Sequence, residues 1–157
     1  SIIEYITNGA MPIDISAMGA KFYSTKHSIN FLNLKYESFL ANITASWLSP
    51  IKERRIIIAG SKKMLVYDDV DVLNKLIVYD KGFDFEKTLV EQLEYSDYVV
   101  KTRSGDAVIP QLIQEDALGN SLEHFRSCIV SGDESITNGE AAIRMISILE
   151  EADAQLV

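Results

Sequence analysis

Residues 39–60 read FLANITASWLSPIKERRIIIAG. Phe39, Ala41, Ile43, Ala45 and Trp47 alternate with Asn42, Thr44 and Ser46. A period of two gives a strand one apolar and one more polar face. Ser49-Pro50 ends that strand, because proline fixes φ and lacks the amide donor a central ladder needs. A second strand, 54–59, follows at once, with Lys52, Glu53, Arg54 and Arg55 gathered at one end. The pattern predicts a strand pair at the centre of a larger sheet. It contains no catalytic constellation.

Working outward, strand patterns recur on both sides. Toward the N-terminus, Ile13, Ile15, Ala17 and Gly19 share one parity in 13–23. A connection at Ser24-Thr25-Lys26 leads into 28–36, where Leu32, Leu34 and Tyr36 alternate with Phe31, Asn33 and Lys35. Glu37-Ser38 is the next tight turn, although neither residue suits a position where φ must be positive. Toward the C-terminus, a Gly60-Ser61-Lys62 turn precedes KMLVYD at 63–68. KLIVYD at 75–80 repeats that pattern and is closed by Lys81-Gly82. Such short connections imply antiparallel neighbours, since a parallel crossover needs about a dozen residues or more. The acidic stretch 83–96 reads as loop, and 98–101 as a last edge strand.

Beyond Pro110 the period changes. Leu118, Leu122, Phe125 and Ile129 form a helical stripe that Ser131-Gly132 ends. Thr137 and Glu140 have capping-box spacing and open a long helix with Ala142, Met145, Leu149, Ala152 and Leu156 inward. Strands followed by helices predict an α+β fold: an open, mostly antiparallel six- to seven-stranded sheet with helices on one face. Several strands are apolar on both parities, as Ile56 and Ile58 beside Ile57 illustrate. A sheet apolar on both faces needs a cover on both, so the face opposite the helices is expected to meet another copy or a further domain.

Composition narrows the class. The 157 residues, 47% hydrophobic and 24% charged, suit one soluble globular domain. A net charge of −8 argues against nucleic-acid binding, which wants clustered Lys and Arg. No apolar run reaches the roughly 18 residues of a membrane span, and no signal-peptide pattern opens the chain. The lone Cys128 excludes an internal disulfide and suits a reducing cytoplasm. Asn42-Ile43-Thr44 fits a glycosylation acceptor pattern, read as coincidence without secretory evidence.

Residues 46–54 (SWLSPIKER), then Gly60-Ser61 and Tyr67-Asp68, resemble the second domain of the glucose-fructose oxidoreductase / inositol dehydrogenase (Gfo/Idh/MocA) family, nearest its sugar-nucleotide dehydrogenase branch. The later run Glu123-His124-Phe125-Arg126-Ser127-Cys128-Ile129, Gly132 and Thr137-Asn138-Gly139-Glu140 is similar to the family's His-Phe-x-x-Cys-Ile-x-x-Gly helix and Thr-Asp-Gly-Glu segment. Three positions depart from the family pattern: Ala117 and Ser135 replace common prolines, and Ser38 a common turn glycine. The resemblance implies a C-terminal domain that lines part of a sugar or sugar-nucleotide pocket and oligomerises through its open sheet face. It further implies that NAD or NADP and the catalytic lysine and histidine belong to an N-terminal Rossmann domain of the intact protein. No strand followed by GxGxxG and no Glu-Lys-Pro occurs in these residues. Residues 1–9, where Ile2, Ile3 and Ile6 have helical spacing and Asn8-Gly9 marks a C-terminus, would be the end of a helix continuing from that domain, and 10–157 the sheet domain. On this reading the isolated chain has no catalytic residue or cofactor and is inactive. A stand-alone, non-catalytic binding or assembly module with the same fold is the alternative.

Within the chain, Lys52, Arg54 and Arg55 are the candidates for substrate oxyanions, because Arg presents a planar fork to phosphate or carboxylate. The plainer reading of these residues is an exposed strand end paired with acids. His124 is a further candidate, though a packing or hydrogen-bonding role suits it better because no catalytic partner is assignable. Trp47, Ile57 and Tyr67 are the interface candidates. His27 reads as solvated and Cys128 as a buried small apolar side chain. Asp68, Asp69 and Asp71 lack the glycine and distal glutamate of a calcium loop, so no metal is expected.

Overall fold

The alternation around residue 43 forms a strand, and hydrogen bonding shows where each face goes. The computed structural model describes residues 2–23, 25–85, 100–113 and 115–156. They fall into two units, residues 1–50 with 115–157, and residues 51–114. In the first unit, β1 (Asp14–Ala20), β2 (Ile29–Lys35) and β3 (Leu40–Ser46) form an antiparallel ladder in that order. The register aligns Ile15, Leu34 and Ala41, and Ala17, Leu32 and Ile43, on one face. Met18, Phe31 and Thr44 align on the other. The first face is the covered one: Leu34 is only 2% exposed. Tyr36 and Phe39 close the β2–β3 turn by stacking at 4.2 Å, with Tyr36 N–H donating to the Phe39 carbonyl. No residue of this turn has a positive φ, so Glu37-Ser38 never meets the steric penalty that a primed turn would impose.

Three helices belong to the same unit. α1 (Ile2–Ile6) ends at Asn8 and Gly9, both in the left-handed region, with Gly9 N–H bonded to the Glu4 carbonyl. α2 (Ala117–Ser131) is capped by Asp116 and stopped by Gly132 at φ 77°. α3 (Gly139–Gln155) is capped by Asn138, whose side chain accepts from Ala141 N–H. The cap is therefore Asn138, one residue later than the expected Thr137. α3 packs on β1, with Ala141 and Ala152 buried, and an Arg144–Glu4 ion pair at 2.8 Å ties it to α1. The inward assignment fails at Leu149, which is exposed. The apolar α2 stripe is uncovered: Leu118, Leu122, Phe125 and Ile129 are exposed, while His124 and Cys128 on another side of the helix are partly covered. Periodicity identifies an apolar face but not the element that covers it.

In the second unit, β4 (Arg55–Ala59), β5 (Met64–Asp68), β6 (Leu76–Tyr79) and β9 (Ala107–Val108) form a four-stranded antiparallel ladder. β7 (Gly82–Phe85) pairs with β8 (Val100–Arg103). The α+β, antiparallel class is as expected, and among the described residues the strands are distributed over three ladders. The eight residues 47–54 around Pro50 are not a hairpin, so they do not force β3 and β4 into register. Residues 83–85, expected as loop, extend β7, and the rest of that expectation (86–96) lies outside the described residues. Both parities of this ladder are apolar: Ile57, Val66 and Ile77 share one face, and Ile58, Leu65 and Val78 the other. Val66 is 4% exposed.

Candidate functional site

The Pro50 break and the β4–β5 register together build one site in the second unit. After Pro50 the chain enters β4 at Arg55, which the register sets opposite Asp68 at the end of β5. Lys52, Arg55, Glu53, Asp68, Asp71 and Val70 line an open depression of about 390 Å³. Two of the three oxyanion candidates are thus brought together. Arg54 is not one of the lining residues. Its guanidinium turns to Asp69 at 3.5 Å, because neighbours in extended chain project to opposite sides.

The acidic turn 68–71 is organised by its own hydrogen bonds. Asp68 Oδ1 accepts from Val70 N–H at 3.0 Å. Asp71 Oδ1 accepts from the Leu73 and Asn74 amides at 2.9 and 2.8 Å, and the Asn74 bond leads the causes holding its carboxyl below the usual range. Asp69 meets Lys75 Nζ at 3.2 Å and accepts from Tyr67 O–H at 3.1 Å; those two contacts chiefly lower its pKa. Tyr67, an interface candidate, is accordingly engaged inside its own unit, with Lys75 Nζ also 5.9 Å from its ring centre. The depression carries two cations and three carboxylates. It therefore offers donors to an oxyanion and acceptors to hydroxyls within one surface.

The remaining candidates sit elsewhere. Trp47 is 91% exposed in the connection after β3, and Ile57 is more than half exposed on β4. His27 is half-buried near Gly19 in the β1–β2 region, more enclosed than a solvated residue. His124 belongs to the first unit, where Nε2 accepts from Ile136 N–H at 3.3 Å and lies 3.4 Å from Ser135 Oγ. Cys128 Sγ, one turn along α2, is 3.7 Å from the same nitrogen. His124 thus fastens the α2–α3 connection, and an acceptor at Nε2 requires the proton on Nδ1. Replacing His124 by alanine should cost about 1 kcal/mol in urea unfolding by stranding the Ile136 amide, whereas Ser135→Ala should cost less. Among the described residues, no group of three His, Cys, Asp or Glu side chains is placed to hold a metal ion, and no helix is long and apolar enough to cross a membrane.

Sequence reasoning missed an organising cluster of the second unit. Arg103 donates two hydrogen bonds to Asp80, at 3.0 and 2.9 Å, and one to the Lys62 carbonyl at 2.6 Å. The Arg103 bonds lead the causes that lower the Asp80 pKa. These residues lie 41 positions apart at the extremes, and strand pairing joins them: the β7–β8 register, the Phe83 N–H bond to the Ser61 carbonyl and the Asp80 N–H bond to the Asp106 carbonyl.

No family model matches the chain, and no curated protein sequence matches it. Solved structures do. UDP-N-acetylglucosamine 3-dehydrogenase GnnA from Acidithiobacillus ferrooxidans aligns in each of two crystal forms with a TM-score of 0.69 and 21% identity, over 94% of this chain and 41% of that one. The Bacillus subtilis protein yvaA, assigned as an oxidoreductase, aligns with a TM-score of 0.63 and 17% identity, over 98% of this chain and 46% of that one. The chain shares its fold with part of these proteins. It spans less than half of their length.

Proposed function

We propose that this chain is the substrate-binding and oligomerisation domain of an NAD(P)-dependent sugar or sugar-nucleotide dehydrogenase of the Gfo/Idh/MocA family. The observation that carries the reading is the fold match covering nearly all of this chain but 41% of a dehydrogenase acting on UDP-N-acetylglucosamine. Under this reading the cofactor, the catalytic lysine and the catalytic histidine belong to a Rossmann domain preceding residue 10. Among the described residues, the N-termini of α2 and α3 do not suit a dinucleotide pyrophosphate. The Leu118 and Gly119 amides of α2 are taken by the Asp116 carboxylate, and Ala141 N–H of α3 by Asn138. A phosphate would meet a like charge at one helix and a filled cap at the other. The reading places the enzyme in the cytoplasm as a homo-oligomer that joins open sheet faces.

Lys52 and Arg55 are the substrate contacts that geometry supports best. A sugar nucleotide brings oxyanions for the two cations and hydroxyls for Asp68 and Glu53, which is the mixture the depression offers. The first test is the coding sequence immediately upstream of Ser1. A strand–GxGxxG–helix, a Glu-Lys-Pro and a histidine just before Ser1 are expected. The longer protein should then reduce NAD or NADP with a UDP-sugar, and the 157-residue chain should bind neither cofactor. In that enzyme, Lys52→Ala and Arg55→Ala should each raise KM about tenfold with kcat little changed, and Arg54→Ala should not. A native start at Ser1, or saturable NAD binding by this chain alone, overturns the dehydrogenase reading in favour of a stand-alone assembly module.

A further inference from the structure

β1 lies at the edge of its ladder, and an edge strand presents unpaired N–H and C=O groups along one side. Alternate residues of an antiparallel strand direct those groups toward and away from the neighbour. On the side away from β2, the last turn of α3 supplies partners. The Gln155 side-chain amide donates to the Ile15 carbonyl at 2.9 Å and accepts from Ala17 N–H at 2.9 Å. One primary amide thus reproduces the donor–acceptor pair that a further strand would bring. Leu156 follows immediately: a Cβ built on Gly19 would lie 3.0 Å from its Cδ2, so the strap also seals the β1 surface at that point.

We infer that the terminal turn of α3 is a strap masking a self-pairing edge, and that a second copy's β1 is the partner this edge fits. The edge is suited to two-fold antiparallel pairing centred on Ala17. In that register Ile15 faces Gly19 of the second copy and Asp14 faces Ala20, so the only charged residue of β1 opposes a small apolar one. Both copies use the same patch, as a closed two-fold contact requires. The slot is already filled by the strap, so pairing requires the last helical turn to fray. Helix C-termini do this readily. This contact is distinct from association through the open sheet face and does not depend on the dehydrogenase reading.

The test is Gln155→Gly in the full chain, which removes both hydrogen bonds and loosens the final turn. The Ala17 amide should exchange with solvent about tenfold faster, the equivalent of one or two lost hydrogen bonds. Sedimentation should reveal a species twice the mass of the parent form, growing with concentration. Adding Ala17→Pro should abolish that species, because proline removes the outward donor without touching the bonds to β2. Faster exchange with unchanged mass would overturn the masking role. Unchanged exchange would overturn the strap itself. Doubling that survives Ala17→Pro would place the contact somewhere other than this edge.

Discussion

Gly82→Ala should lower the stability of the second unit by about 2–3 kcal/mol, read as a fall in urea midpoint at unchanged slope. A Cβ there would lie 2.2 Å from the Ser61 carbonyl oxygen and 3.0 Å from both Lys62 Cα and Lys62 O. All three are backbone atoms, so no rotamer change relieves the contact. The turn cannot retreat either. Gly60 N–H bonds the Lys63 carbonyl, Phe83 N–H bonds the Ser61 carbonyl, and Arg103 holds the Lys62 carbonyl while gripping Asp80. Shifting the turn therefore breaks a set of bonds, whereas leaving it in place overlaps two backbones. Gly105→Ala should behave similarly, since its Cβ would approach the Asp80 carbonyl to 2.3 Å. Gly139→Ala provides the contrast: its Cβ meets nothing within 4 Å at the start of α3, and the change should be neutral or stabilising by up to about 1 kcal/mol.

Gly82 also shows where sequence reading succeeds and where it stops. The alternation at 39–47 and 28–36 specified β2 and β3 to within two residues, because a half-buried strand writes its period directly into the chain. The Gly132 and Asn8-Gly9 helix ends were equally legible, since a left-handed φ selects glycine or asparagine. Gly82, by contrast, reads as a strand-closing turn but opens β7, and its cramped contact with Ser61 comes from the β5–β6 pairing and the Phe83 N–H bond to the Ser61 carbonyl. The same limit applies to the site. Lys52 and Arg55 were visible as a cationic cluster, yet nothing local to Arg54 announces that Asp69 will take it. That pairing depends on the β4–β5 register, through which Asp69 N–H also reaches the Arg54 carbonyl. The strap residue Gln155 carries no local signal at all, because its partners are 140 and 138 positions away.

Leu34→Ala should cost about 2–5 kcal/mol, the range for emptying a buried leucine site. Leu34 is the largest aliphatic side chain in the core of the first unit, set between Ile15 and Ala41 on the covered face. The neighbouring change Phe31→Ala tests the opposite face. Phe31 is 40% exposed and shares that face with Met18 and Thr44. In a dilute monomer it should therefore cost about 1 kcal/mol, the partial burial of one side. If a second copy covers this face, the Phe31 penalty must grow with protein concentration, because association stabilises the folded form by mass action. Measured over about a hundredfold range of concentration, the Leu34 penalty should stay constant while the Phe31 penalty rises. A Phe31 penalty that is small and constant would leave this face to solvent, and would remove the open sheet face from any account of how the protein assembles.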